Sequence, residues 1–270
     1  MKKTSIIRSD MAIELVHGNA GTSNSLQIKK SRIEVDEKMS KKIGRPIGSY
    51  ITLETNIVGN GRIDKYDNIS KEIAASIKEI IKKSVQTVLV VGLGNPYLTA
   101  DALGKEVFSN LIISQHLDKN ERTKLGIECG IAALCPNVSG VTGIESFDVI
   151  KGVVDRIKPD LVIAVDSLAS ASVGRIGTAF QLCSSGITPG SGVANHRVRL
   201  DKESLGCDVI SIGVPLVVYA STIIIEAAGE KAMDNLSEEF MGLIVTPKTI
   251  DILVEDCAKV IASGINNAFG

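Results

Sequence analysis

The chain lacks an excess of charge of either sign. Lys and Arg number 30 against 31 Asp and Glu, a net charge of -1 over 270 residues. Such balance gives no electrostatic footprint for a nucleic-acid or anionic-membrane partner. A cysteine framework is also missing. Cys129, Cys135, Cys183, Cys207 and Cys257 are odd in number and include no Cys-x-x-Cys pair, which argues against a disulfide scaffold or a zinc ribbon. Free thiols suit a reducing cytosol. Long hydrophobic runs are absent too. The richest stretches, Val85–Leu93 and Val214–Ala228, are broken by polar or charged residues, so neither reads as a membrane span. The first residues, MKKTSIIRSDMAIE, start basic, but Arg8 and Asp10 interrupt before a signal-peptide core forms. These absences point to a soluble, cytoplasmic protein.

Hydrophobic residues make up 44 % of the chain, ample for a sizeable core. Residues 1–30 are polar and aperiodic, an extended arm or pro-segment with Gly18–Ser25 as a flexible piece. Ser31–Asp36 and Ser49–Thr55 alternate β-branched residues as strands do. Ile69, Ile73, Ile77, Ile80 and Ile81 recur at helical spacing and predict a helix over Ser70–Lys83. Val85–Val91 and Leu161–Val165 are largely apolar runs, suited to strands buried on both faces of a parallel sheet. Ile131–Leu134, Phe180–Cys183 and Val209–Ile212 read as further strands. Helices are predicted over Ala102–Leu117, Ser146–Ile157, Leu216–Met233 and Thr246–Phe269. Strand and helix alternate almost throughout, which predicts one α/β domain with a mixed, mostly parallel sheet flanked by helices.

The stretch VVGLGNPYLTADALG, Val90–Gly104, joins an apolar strand to a tight turn and a lone aspartate. A dinucleotide loop fits it poorly, because Tyr97 stands where G-x-G-x-x-G needs its third glycine. Peptidyl-tRNA hydrolases share a Gly-Leu-Gly-Asn-Pro start, but no histidine follows here until His116. A carboxylate site is the third reading. Ligands of open α/β sheets bind outside the carboxyl ends of the strands. Asp101 follows one predicted strand by a loop, and Asp166 follows Leu161–Val165 directly. Two carboxylates in one cleft share a proton, so one can activate water while the other polarises a carbonyl. The plainer alternative makes Asp101 a helix N-cap and Asp166 a turn cap, and the two stand side by side. The glycine-rich segment SSGITPGSGVANHR, Ser184–Arg197, can present backbone N–H groups to an oxyanion or a peptide. Gly94, Asn95, Gly190, Ser191, Gly192 and His196 are accordingly the candidate substrate-binding residues.

Six segments occur in one order: IGRPIGSYITLE (Ile43–Glu54), VVGLGNPYLTADALG, DLVIAVDSLAS (Asp160–Ser170), GITPGSGVANHR (Gly186–Arg197), VISIGVP (Val209–Pro215) and FMGLIVTPKTIDILVED (Phe240–Asp256). Together they resemble the spore germination protease family, endopeptidases that degrade small acid-soluble spore proteins. The resemblance implies an atypical aspartic peptidase without pepsin-type halves, whose two essential aspartates fall on Asp101 and Asp166. It implies a fold similar to hydrogenase maturation endopeptidases, a homotetramer, and no cofactor. It also implies a cytoplasmic zymogen, in the forespore or spore core, that trims its own N-terminus. The family cuts after an acidic and before an apolar residue, and Ser9-Asp10-Met11-Ala12 is similar in character. Cleavage is expected between Asp10 and Met11, leaving 1–10 as pro-segment and 11–270 as peptidase domain. Departures from the family pattern are Ser184-Ser185-Gly186, where Asp-Thr-Gly is usual, Tyr219, where an acidic residue is usual, and a lost insertion between Glu239 and Val245. Two rivals remain. Hydrogenase maturation relatives hold nickel with carboxylates and a histidine, but His17, His116 and His196 are the only histidines here, and the expectation is no metal. The other rival is a non-catalytic sporulation protein of the same fold, acting as a binding or scaffold protein.

Overall fold

The β-branched alternation of SYITLET forms the third strand of a nine-stranded sheet in the computed structural model. The structure describes residues 9–16, 21–25, 28–56, 58, 66–189, 198–229, 231–232 and 236–270. Its strands are β1 (Gly21–Ser25), β2 (Ile28–Val35), β3 (Gly48–Thr55), β4 (Thr87–Gly92), β5 (Gly130–Leu134), β6 (Leu161–Ser170), β7 (Ala179–Cys183), β8 (Asp208–Tyr219) and β9 (Ile244–Val245). Its helices are α1 (Ala12–Leu15), α2 (Glu37–Ile43), α3 (Tyr66–Ile81), α4 (Leu103–Ser109), α5 (Lys119–Lys124), α6 (Ser139–Thr142), α7 (Ser146–Ile157), α8 (Lys202–Leu205), α9 (Ala220–Ala228), α10 (Glu238–Gly242) and α11 (Ile250–Phe269). The strand order is β1-β2-β3-β7-β8-β6-β4-β5, with β9 added to β8. Parallel pairing is confined to β5, β4, β6 and β8. The other strands pair antiparallel, including β7 with β8.

The parallel strands read as unbroken apolar runs because helices cover both of their faces. Val88, Val90, Leu161, Ile163 and Val165 meet Ile69, Ile73 and Ile77 of α3 and Val254, Cys257, Ile261 and Ile265 of α11. Leu89, Val91, Val162 and Ala164 meet Ile150 and Val154 of α7. Side chains of a strand alternate between faces, so the α7 face of β6 continues into Asp166 and Leu168.

Several elements differ from their sequence-based bounds, most of them through tertiary pairing. β6 runs on to Ser170 and β8 to Tyr219, because Val217 and Val218 pair with Ala169 and Ser170. The expected helix from Leu216 therefore begins only at Ala220. The expected helix to Leu117 ends at Ser109, and further on the Ser114 and Gln115 N–H groups both donate to the Ile131 carbonyl. The last helix begins at Ile250 rather than Thr246, after a turn in which the Ile250 N–H donates to the Pro247 carbonyl at 3.1 Å. Within the expected flexible piece, Gly21–Ser25 is β1, paired along β2.

Charge is concentrated around β2 and β3. Arg32 binds Glu34 and Glu79, Lys30 binds Glu79 at 2.8 Å, and Lys29 binds Glu54 at 2.9 Å. Burial pushes the Glu34 and Glu54 carboxyls up, but hydrogen bonds from Ser49 and Arg32 to the one, and from Lys29 and Arg175 to the other, outweigh it. Both pKa values lie below the ordinary 4.5. Glu79 is lowered as well, led by its hydrogen bond from Lys30. A carboxyl depressed in the folded state contributes stability above its unfolded pKa, and that contribution disappears as pH falls through the folded value. The urea midpoint is therefore expected to stay level from pH 7 to about 5 and to decline below about 4.5. A midpoint unchanged between pH 5 and 3.5 would contradict this.

Candidate active site

β4 ends at Gly92, which pairs with Val165, and the next N–H, that of Leu93, donates to the Val165 carbonyl at 2.8 Å. β6 and β8 continue past this point. Asp166 thus lies within a strand, yet one residue beyond the end of its neighbour, at the carboxyl rim of the parallel half. The loop from β4 returns to the same rim. Gly94 has φ +98, and a Cβ there would stand 2.1 Å from the Asp101 carbonyl oxygen. Only a glycine permits that approach at that backbone angle. The Asn95 N–H donates to Asp101 Oδ2 at 2.7 Å, and Asn95 Oδ1 accepts from the Tyr97 N–H at 3.0 Å. Asp101 closes a short 3-10 turn, Thr99–Asp101, packed against β6, β8 and α11.

The capping alternative does not describe either aspartate. The N-cap of α4 is Ala102, with no side-chain cap bond, and the Asp101 carboxylate turns back toward Asn95 instead. Asp166 is 6 % exposed inside β6, where its Oδ1 accepts from the Ser167 N–H at 2.9 Å. Asp166 is paired with Gly213 of β8, and Gly213 with Gln181 of β7. These three residues form one row across three strands, and the middle member has no side chain.

The segment Ser9–Leu15 lies against this row. The Asp10 N–H donates to the Ala169 carbonyl at 2.8 Å, and the Ala169 N–H donates to Asp10 Oδ2 at 2.9 Å. Arg45 stands 3.9 Å from Asp10 Oδ1 and also donates to the Ser9 carbonyl. Met11 is fully buried against Leu168 and Ala179, which alternate onto the same face as Asp166 and Gln181. Gln181 brackets the next peptide units. Its Oε1 accepts from the Ala12 N–H at 2.7 Å, and its Nε2 donates to the Asp10 carbonyl at 3.2 Å. Glu14 is held by the Ser170 hydroxyl, the Ala171 N–H and Arg175, at 2.7, 2.7 and 3.0 Å. Burial lowers the Arg175 pKa, but Glu14 and Glu54 together raise it above the ordinary value. Arg175 thus stays charged, fastening the segment to β3.

The structure brings Asp10, Met11, Gly94, Asn95, Asp101 and Asp166 to one rim. Asn95 contributes its backbone N–H and uses its side-chain oxygen on its own turn. Gly190, Ser191, Gly192, His196 and His17 lie outside the described residues, while His116 is exposed. Ser184 Oγ accepts from the Ser49 N–H at 2.9 Å, and Ser185 meets Tyr50, Cys183 and Arg199. Tyr219 is buried at the start of α9. The Cys135 thiol, below the strand end, is pushed by burial up to about 11 and stays protonated. Among the described residues no cluster of three His, Cys, Asp or Glu is arranged to hold a metal ion, and no helix is long and apolar enough to cross a membrane. Sequence reasoning missed Gln181, Arg45, Glu14 and Arg175. A glutamine inside an apolar strand, in AFQLC, was the one local signal for Gln181. The others have none, since their partners are distant in sequence.

A family model described as germination protease, a peptidase family, matches residues 7–239. A germination protease of Caldanaerobacter subterraneus subsp. tengcongensis is 40 % identical over 273 residues, 89 % of this chain and 84 % of that one. One of Clostridium acetobutylicum is 35 % identical over 311 residues, 97 % and 94 % of the two chains. A hydrogenase maturation protease, HycI from Thermococcus kodakarensis KOD1, aligns with 70 % of this chain and 98 % of its own, at 20 % identity and a TM-score of 0.38. A matching peptidase-family model over most of the chain defines a peptidase. The chain belongs to the germination protease family.

Proposed function

We propose that the protein is an endopeptidase that degrades small acid-soluble spore proteins at germination, cutting after acidic residues with Asp101 and Asp166 as its catalytic pair. One aspartate takes a proton from water while the other polarises the scissile carbonyl. The protein is made as a homotetrameric zymogen in the forespore and releases residues 1–10 by its own cut between Asp10 and Met11. The observation that carries this reading is the seating of Ser9–Leu15. An acidic side chain meets Arg45 and the Ala169 N–H, and the following apolar side chain is buried beside the strand bearing Asp166. This is how a peptide cut after an acidic residue would lie.

The test is intact mass of the incubated full-length chain, together with mapping of cuts in an added small acid-soluble spore protein. The expected results are loss of residues 1–10 and cuts after glutamate or aspartate. A folded chain that stays whole and leaves the spore protein whole would reverse the reading in favour of a binding or scaffold protein. Arg45 gives a second prediction. Arg45→Gln removes a partly exposed charge pair worth about 1 kcal/mol at most. It is expected to lower the preference for acidic over amide residues before the cut about 5-fold, measured with paired Glu and Gln peptides.

A further inference from the structure

We propose that Gln181 is a catalytic residue of the self-cleavage step, an electrophilic amide that stabilises the oxygen of the scissile carbonyl. The assignment rests on the reading that the chain cuts itself between Asp10 and Met11. Three observations support it.

The first is the direction of the amide. Gln181 Oε1 lies 2.7 Å from the Ala12 nitrogen, which carries only a proton to donate. The atom there must be the oxygen, so the NH2 end is turned the other way. It faces the Asp10 carbonyl oxygen at 3.2 Å, and that carbonyl belongs to the Asp10–Met11 peptide bond. The second is location. Asp166, Gly213 and Gln181 are register partners on adjacent strands, so a carboxylate and an amide stand on one face either side of Gly213, over which the Leu168 side chain packs. Met11 sits on Leu168 and Ala179, two residues from Asp166 and Gln181 on the same face. The third is burial. Gln181 is 7 % exposed, and a preorganised donor in a water-poor site is where electrostatic stabilisation is largest.

Water adds its oxygen to the Asp10 carbonyl carbon and gives one proton to a carboxylate of the pair. The carbonyl oxygen takes the negative charge, and the Gln181 Nε2–H bond to it becomes charge-assisted and shorter. The carbon–nitrogen bond then breaks, and the proton passes from the carboxyl to the Met11 nitrogen. The products are the Asp10 carboxyl group and the Met11 amine. The same amide holds Ala12, so donor and bond stay in register through the reaction.

The test uses the full chain and follows release of residues 1–10 by intact mass, with hydrogen exchange at the Ala12 amide in an Asp166→Asn background. Gln181→Leu removes the donor and is expected to slow release about 100-fold. Gln181→Glu keeps an acceptor for the Ala12 N–H but, ionised, has no proton for the carbonyl. Protonated, it donates again. Its rate relative to wild type is therefore expected to rise steadily between pH 8 and pH 5, with Ala12 still protected from exchange. A ratio independent of pH, loss of Ala12 protection in Gln181→Glu, or release at the wild-type rate in Gln181→Leu would each overturn the assignment. A wild-type chain that never releases residues 1–10 would instead remove the self-cleavage reading and the assignment with it.

Discussion

Asp166→Asn is expected to leave the chain folded and to reduce both self-release and cleavage of spore proteins by about 10³-fold or more, within the range that a positioned proton-transfer group supplies. The substitution preserves shape. An amide oxygen can still accept from the Ser167 N–H, as Oδ1 does at 2.9 Å. What is lost is the ability to take a proton from water. Asp101→Asn is expected to behave alike, because an amide oxygen can replace Oδ2 as acceptor of the Asn95 N–H. The double variant should then be little worse than either single one, as for groups that act as one unit. Thermal midpoints within about 3 °C of wild type, on the scale where 1 kcal/mol shifts a chain of this size by 2–4 °C, would assign the loss to chemistry. Residual activity above a tenth of wild type in either variant would contradict the two-carboxylate mechanism.

Gly94→Ala is expected to cost about 2 to 3 kcal/mol, from a side chain at positive φ and from overpacking. The clash is with backbone. A Cβ would stand 2.1 Å from the Asp101 carbonyl oxygen and 2.9 Å from its carboxylate. The turn Thr99–Asp101 would have to move, and Asp101 with it. Stability and activity should therefore fall together, with a thermal midpoint lower by about 5 to 10 °C. The comparison is Gly140→Ala, where a Cβ meets nothing within 4 Å. There both quantities should stay near wild type. A Gly94→Ala enzyme with full activity would show that the turn is not what positions the carboxylate.

The sheet was legible wherever local pattern and tertiary environment agree. Leu161–Val165 and Val88–Val91 carry the unbroken apolar character that two covered faces require, and both lie within strands. Ser146–Ile157 is helical over the span that its periodicity gives. Legibility failed where pairing overrode periodicity. Leu216–Tyr219 looks helical in isolation but is drawn into β8 by Ala169 and Ser170. A rim position for Asp101 and Asp166 is expected because both follow apolar runs and such folds bind ligands at strand ends, yet Asp166 lies inside β6, beyond the end of β4 rather than of its own strand. The residues around Ser9–Leu15 could not be read in the sequence. Gln181 is 169 positions from Ala12, and Arg175 is 161 from Glu14. No periodicity connects positions so far apart, and only the folded register brings them together.

Ser9–Leu15 occupies the rim while joined to β1 through residues 16–20, a tether of a few residues. A segment held on so short a leash has an effective concentration in the millimolar range. A free chain present at micromolar level would compete for the same ledge at a disadvantage of about a thousandfold, even with equal intrinsic affinity. Loss of residues 1–10 takes away the Asp10 anchors, the two bonds with Ala169 and the approach of Arg45, but leaves Met11 and Glu14 attached. A cut between Asp10 and Met11 would therefore weaken a built-in competitor without discarding it, and turnover of other chains would then depend on how readily the shortened arm lifts away.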